Sequence, residues 1–361
     1  MGEWTERGAR RRLSRLTQLR IAIDATYSVG SHLSGIGVYA NELLDGLAAA
    51  HPESEFLFCY RPHRFLRSLT RPLRSNCHRR LLRDDKPPLP NGVFHGLNQR
   101  MPRARCRHTV CTFHDLFVLT GEYSTREFRE RFAAQARQAA ERTDMVIAVS
   151  RFTASQVTNL LGVEPSRIRV VPHGVHLAPA SPGARKERIV LHAGAIQQRK
   201  NVGRLVEAFE RCPAGWRLVL AGSAGYGAAA ILDRIQSSPR RADIQLTGYV
   251  PANELADLYN RAAILAFPSL DEGFGMPVLE AMARGVAVLT SHRSALPEVA
   301  GDAALLIDPF DTDSIAGGLL QLMRDEALRR RLADKGYQRA QLFPWGLAVE
   351  RTWTAYRELT G

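Results

Sequence analysis

The sequence predicts an α/β protein in which two doubly wound domains of parallel strands face each other across a cleft. Three observations predict it. Short β-branched or aliphatic runs alternate with amphipathic helical stretches from Arg20 to about Pro309, the pattern of parallel strands joined by crossover helices. The runs fall into two series, separated by a stretch from Ala178 to Ala184 made of Pro, Ser, Gly and Ala with no core pattern. A chain of 361 residues that is 45% hydrophobic fills two cores of ordinary size.

Taken in order, the first series of strands is Arg20 to Asp24, Glu55 to Tyr60, His108 to Phe113, Asp144 to Val149 and Ile168 to Val171. The second is Arg188 to Ala193, Trp216 to Ala221, Ile244 to Leu246, Ala263 to Phe267, Val286 to Leu289 and Ala304 to Ile307. Helices near Val202 to Arg211, Ala228 to Gln236, Ala252 to Asn260 and Met276 to Arg284 interleave with the second series. These runs divide the chain into a basic tail (1–19), a first domain (20–177), a linker (178–187), a second domain (188–344) and a last helix (345–361) expected to cross back to the first domain. Ligands belong at the carboxyl ends of such strands.

The net charge of +13 is carried by arginine, since Lys86, Lys186, Lys200 and Lys335 are the only lysines. Such a surface favours anionic partners. Between Arg61 and Arg83 the arginines interleave with Phe65, Leu66, Leu69 and Leu73, which fits an anionic membrane surface or a solvated arginine-rich loop, with Pro62 and Pro72 bounding any helix. No DNA- or RNA-binding motif accompanies the charge, so nucleic acid is not an expected partner. The tail carries arginines at 7, 10, 11, 12 and 15 but no apolar segment of signal-peptide kind, and no run reaches membrane-spanning length, so a cytoplasmic location is expected. Five cysteines without a CxxC pair fit reduced thiols. Cys106, His108, Cys111 and His114 look like a metal quartet, but alternation along a strand points Cys106 and His108 one way and Cys111 the other, and no metal is expected.

The most informative segment is Asp271 to Glu280, where Glu272 and Glu280 flank a glycine-rich turn opening a helix. Pro277 suits a first turn, and the amides of Gly273, Phe274, Gly275 and Met276 sit at the positive helix end, where an anion binds. Glu280 lies about one turn inside the helix, so both carboxylates can face one ligand bearing hydroxyls and a phosphate, as a nucleotide sugar does. A second segment, His192 to Asn201, runs from a strand end to a helix start and sets Arg199 and Lys200 where they suit a diphosphate. Gly35 and Gly37 in the first strand-to-helix turn permit close backbone approach. The loop from Gly222 to Gly227 lacks the dinucleotide fingerprint and reads as a plain turn, which disfavours a nicotinamide oxidoreductase. His114 and Asp115 close a strand facing the cleft.

The ordered set Gly35-Ile-Gly37, His114-Asp115, Val149-Ser-Arg-Phe152, Val171-Pro-His-Gly174, Arg199-Lys-Asn201, Gly248-Tyr-Val250, Glu272 to Glu280 and Leu296-Pro-Glu298 resembles the family 4 glycosyltransferases, with a bacterial mannosyltransferase-like flavour. The resemblance implies the GT-B fold of two Rossmann-like domains, a nucleotide-sugar donor, no metal or other cofactor, and retention at the anomeric carbon. It implies that Glu272 contacts the donor sugar's hydroxyls and Glu280 the ribose. The amides from Gly273 to Met276 would meet sugar and diphosphate, which Arg199 and Lys200 would hold. Tyr249 and Val250 would border the base, Gly37 would approach the diphosphate from the opposite domain, and His114 would touch the transferred sugar. Where many relatives carry an arginine, this chain has Ala195. The donor expected is GDP-mannose and the acceptor a glycan or lipid-linked glycan, with peripheral contact at the inner membrane face; the rival reading is a non-catalytic nucleotide-sugar binder on the same fold.

Overall fold

Ile21, Ala22 and Ile23 are fully buried inside a seven-stranded sheet, and strands are added to it on both sides of them. The computed structural model describes residues 19–30, 33–178 and 186–361. The arginines at 7, 10, 11, 12 and 15 and nearly all of the separating Pro/Ser/Gly/Ala stretch lie outside the described residues. The first sheet comprises β1 (Arg20–Asp24), β2 (Glu55–Tyr60), β3 (Cys77–Leu81), β4 (Val93–Gly96), β5 (His108–Phe113), β6 (Met145–Ala148) and β7 (Ile168–Val170), in the order β3-β2-β1-β4-β5-β6-β7. Every pairing in it is parallel. The second comprises β8 (Glu187–Ala193), β9 (Arg217–Ala221), β10 (Ile244–Gly248), β11 (Ala262–Phe267), β12 (Ala287–Ser291) and β13 (Ala304–Ile307), in the order β10-β9-β8-β11-β12-β13, again wholly parallel. The expectation of two doubly wound sheets therefore holds.

Two strands escaped the sequence reading. β3 is an edge strand of Cys, His, Arg, Arg and Leu whose charges keep the edge in water, and β4 is a four-residue central strand. Within β4, His95 is wholly buried because both ring nitrogens are used: Nε2 meets the Thr112 hydroxyl at 2.8 Å and Nδ1 the Tyr356 hydroxyl at 2.6 Å. Thr112 also meets the Tyr39 hydroxyl at 3.0 Å, so a polar chain runs through the first core. Its far end stands on the Trp345–Thr360 helix, which lays Trp345, Val349, Trp353 and Tyr356 into the core of the first sheet beside Leu43 and Leu47. Gly46, in the Gly35–Ala50 helix, is needed there, since a Cβ would overlap Val349.

The cysteines are all free, and Cys111 spends its thiol on the Asn98 carbonyl inside the first core. In the basic segment, Phe65 and Leu73 turn back against that core, while Leu66 and Leu69 are 76% and 58% exposed. Half of the apolar residues expected on that surface are thus structural. Several arginines are too: Arg61 is buried against Asp24 and Asp84, Arg71 meets Asn41 and Asp45, and Arg79 meets the Ser68 carbonyl. Among the described residues no helix is long and apolar enough to cross a membrane.

Candidate active site

Beyond the end of β8 the chain makes a single 3₁₀ turn, Gln198–Lys200, before the Val202–Glu210 helix. Asn201 joins them in a left-handed conformation (φ 59°), which an asparagine tolerates, and its side-chain amide donates to the carbonyls of Pro268 and Pro309 at 3.1 and 2.6 Å. That anchor turns Arg199 and Lys200 inward. Lys200 Nζ lies 2.5 Å from Oε1 of Glu272, and an Arg199 guanidinium nitrogen 3.0 Å from Oε2. Arg199 also donates to the Asp271 carbonyl and stacks over Phe117 of the first domain, its Cζ 4.2 Å from the ring centre. The Lys200 ammonium sits 4.6 Å from the Phe267 ring.

Burial alone would raise the Glu272 carboxyl, but the charges of Arg199 and Lys200 and their hydrogen bonds outweigh it and hold it at about 2. Nearby acids behave oppositely. Burial pushes Asp115 up to about 6 against the pull of Arg199, and pushes Asp271 upward although Thr120 donates to its carboxylate at 2.7 Å. Of the acids that face the two cations, Glu272 is the strongest partner, and Asp115 and Asp271 add to it at Arg199. A buried, preorganised cation pair of this kind suits negative charge that develops on a leaving diphosphate.

Glu272 heads the glycine loop. Its N–H donates to the Ser294 hydroxyl at 3.1 Å, and Ser294 itself is left-handed (φ 55°). Gly275 (φ 101°) then caps the Met276–Met282 helix, a geometry that a side chain would strain. Gly273 sits directly against the first domain, where a Cβ would overlap the His114 carbonyl oxygen. Phe274 meets the His173 ring edge-on at 5.0 Å. One turn into the helix, Glu280 accepts from the Tyr259 hydroxyl at 2.9 Å.

On the first-domain side, His114 shares its Nε2 with the Leu97 carbonyl at 2.8 Å and stacks on His173 with ring centres 5.3 Å apart; burial lowers it to about 4, keeping it neutral. Gly37 lies inside the first turn of the Gly35–Ala50 helix, and a Cβ there would come within 2.9 Å of the Tyr27 carbonyl, so its own loop fills that space. Gly35, rather than Gly37, faces the second domain, a Cβ there lying 3.5 Å from Met276 Sδ. Tyr249 and Val250 border a concavity of the second domain with Asn253, Asp257 and Leu258. The Gly222 to Gly227 loop is more than a plain turn. It is zipped to residues 194–198 by Ile196 N–H to Ser223 (2.9 Å), Gly225 N–H to Ile196 (2.8 Å) and Gln198 N–H to Tyr226 (3.1 Å), bracing the turn that carries Arg199 and Lys200.

The structure thus gathers Glu272, Arg199 and Lys200 into one cluster and seats the Gly273 loop beside His114. Tyr259, Phe117, Asp271, Ser294 and His173 were not singled out by sequence. Only His173 and Asp271 lay within motifs read there; Tyr259 is one residue of an amphipathic helix and carried no signal.

The comparisons agree with this geometry. Residues 33–178 match the family model described as Glycosyltransferase Family 4, and residues 178–339 the one described as Glycosyl transferases group 1. The chain is 30% identical to O-antigen chain mannosyltransferase B of Escherichia coli, over 93% of this chain and 99% of that protein. It is 30% identical to MMP alpha-(1->4)-mannosyltransferase of Mycolicibacterium hassiacum, over 63% of this chain and 57% of that protein. Among solved structures, sucrose-phosphate synthase from Thermosynechococcus elongatus superposes with a TM-score of 0.79 at 21% identity, covering 95% of this chain and 99% of that one. Anabaena HepE in complex with UDP and glucose gives 0.73 at 15% identity, covering 94% and 100%. Two parallel-sheet domains that meet at a buried Arg-Lys-Glu cluster, together with these matches across nearly the whole chain, make it a member of the family 4 glycosyltransferases, with the GT-B fold.

Proposed function

We propose that this glycosyltransferase moves a mannosyl group from GDP-mannose to an acceptor hydroxyl in glycan assembly, with retention at the anomeric carbon. The observation that carries the reading is the buried cluster of Arg199 and Lys200 around Glu272, heading a glycine loop at a helix start. In this reading Glu272 and the amides from Gly273 to Met276 hold the sugar, Arg199 and Lys200 the diphosphate, Glu280 the ribose, Tyr249 and Val250 the base, and His114 the transferred sugar. The bond from the anomeric carbon to the diphosphate oxygen breaks, and the acceptor oxygen bonds on the same face. The leaving phosphate takes the acceptor's proton, so no separate base and no metal is required. The mannosyltransferases similar to this chain favour mannose as the sugar.

The acceptor proposed is a lipid-linked glycan, met at the inner face of a membrane by a protein held in the cytoplasm. Exposed Leu66 and Leu69 beside Arg67 support that contact.

Thermal stabilisation and nucleoside diphosphate release across UDP-, GDP-, ADP- and dTDP-sugars, with and without divalent metal, test the reading. Release of GDP from GDP-mannose is the expected result. Release of UDP would move the donor to the nucleotide present in the Anabaena HepE complex. Stabilisation without turnover on any acceptor would favour a non-catalytic nucleotide-sugar binder.

A further inference from the structure

The glycine loop belongs to the second domain, yet its first carbonyl is held by the first. Ser150, 1% exposed at the start of the Arg151–Leu161 helix, donates its hydroxyl to the Gly273 carbonyl at 2.6 Å, and Thr153, 0% exposed, donates to the same oxygen at 3.0 Å. A carbonyl oxygen has two lone pairs, and both are used here. Ser150 also accepts from the Thr153 N–H at 2.9 Å, so the two hydroxyls are oriented by their own helix turn. A second tie stands beside them: Glu298 of the second domain accepts from the N–H groups of Arg151 and Phe152 at 3.0 and 3.2 Å, occupying the positive end of the same helix.

This arrangement constrains the loop through elementary peptide geometry. The peptide joining Gly273 to Phe274 is planar, and its C=O and N–H point in opposite directions. Fixing the carbonyl on Ser150 and Thr153 therefore fixes the direction of the Phe274 N–H, away from those hydroxyls. The contact joins residues of the two domains, which ties the loop's shape to their docking at this point.

We propose that Ser150 and Thr153 are positioning residues for the donor: through the Gly273 carbonyl, they aim the loop amides from the opposite domain, so that donor affinity depends on two hydroxyls that need not touch the donor. The proposal rests on the reading of Gly273 to Met276 as the donor loop.

The test is calorimetric binding of GDP-mannose to wild type, Thr153→Val, Thr153→Ser and Lys200→Met, with melting midpoints recorded for each. Thr153→Val keeps the shape and removes one donated hydrogen bond. It is expected to weaken GDP-mannose binding about three- to tenfold, while Thr153→Ser restores wild-type affinity. A merely structural role would shift the melting midpoint and leave affinity unchanged. Should Thr153→Val not fold, Ser150→Cys, which keeps the side chain and weakens its donation, is read the same way. Wild-type affinity in Thr153→Val, or in Ser150→Cys where that one is read instead, with binding lost in Lys200→Met, would overturn the positioning role and leave the donor site standing. Unchanged binding in Lys200→Met as well would overturn the donor-site reading and the positioning role with it.

Discussion

The Tyr259 hydroxyl donates to Glu280 at 2.9 Å, joining the Ala252–Arg261 helix to the helix that the glycine loop opens. Burial raises the Glu280 carboxyl, and this hydrogen bond pulls it partly back. Tyr259→Phe leaves a half-buried carboxyl short of a donor and moves its titration further up. The expected result is a stability loss of about 1–3 kcal/mol, seen in denaturant unfolding, and weaker binding of the nucleotide.

Lys200→Met keeps an unbranched side chain but removes the ammonium that lies over Phe267, leaving Arg199 to pair Glu272. Turnover should fall by about 10²–10³-fold, the range for losing one preorganised charge-stabilising donor. Because Lys200 is buried in the pair, a stability loss is expected too, and steady-state rates measured well below the melting midpoint separate the two.

Gly273→Ala sets a methyl against the His114 carbonyl oxygen, which belongs to backbone and cannot swing away. The variant is expected to fold with its glycine loop lifted from the first domain, to lose most of its turnover, and to show a larger radius of gyration in solution scattering.

His95 is wholly buried, and burial lowers it to about 3 from an ordinary 6.5. Its folded value is depressed, so the stability it contributes as a neutral ring is full above about pH 6.5 and is lost as pH falls toward 3. Relative to His95→Gln, wild type should lose up to about 1.4 kcal/mol per pH unit across that window. Denaturation curves at pH 7.5, 6, 5 and 4 measure the difference.

Leu66→Asp with Leu69→Asp removes the two most exposed of the large apolar side chains in the basic segment. Flotation with vesicles containing anionic lipid should fall to the level of neutral vesicles, with turnover on a soluble acceptor unchanged. Equal flotation of wild type with and without anionic lipid would leave the segment a solvated loop.

Strands β1, β2 and β5 were legible to the residue because their aliphatic, aromatic and β-branched runs are buried on both faces, as in a parallel sheet covered on both sides. β4 was not, because a histidine and a glycine occupy a central strand only where Thr112 and Tyr356 satisfy the ring, and the latter partner is 261 positions away. The site divides the same way. Arg199, Lys200, Glu272 and Glu280 announced themselves by charge beside glycines and helix starts. Which cation faces which carboxylate, the neutral state of His114, and the Tyr259 hydroxyl behind Glu280 depend on folding that joins distant segments.

The polar chain from Tyr39 through Thr112 and His95 to Tyr356 carries a consequence for biosynthesis. A ribosome delivers β1 to β7 long before residue 356, so the first sheet emerges with His95 lacking the second of its two hydroxyl partners and with the seats of Trp345, Val349 and Trp353 empty. The second domain can close its own core while the first waits for the last turns of the chain. Order of synthesis and order of completion are thus reversed for the first sheet, and a nascent chain stalled before the Trp345–Thr360 helix should be cut by protease in the first domain while the second resists.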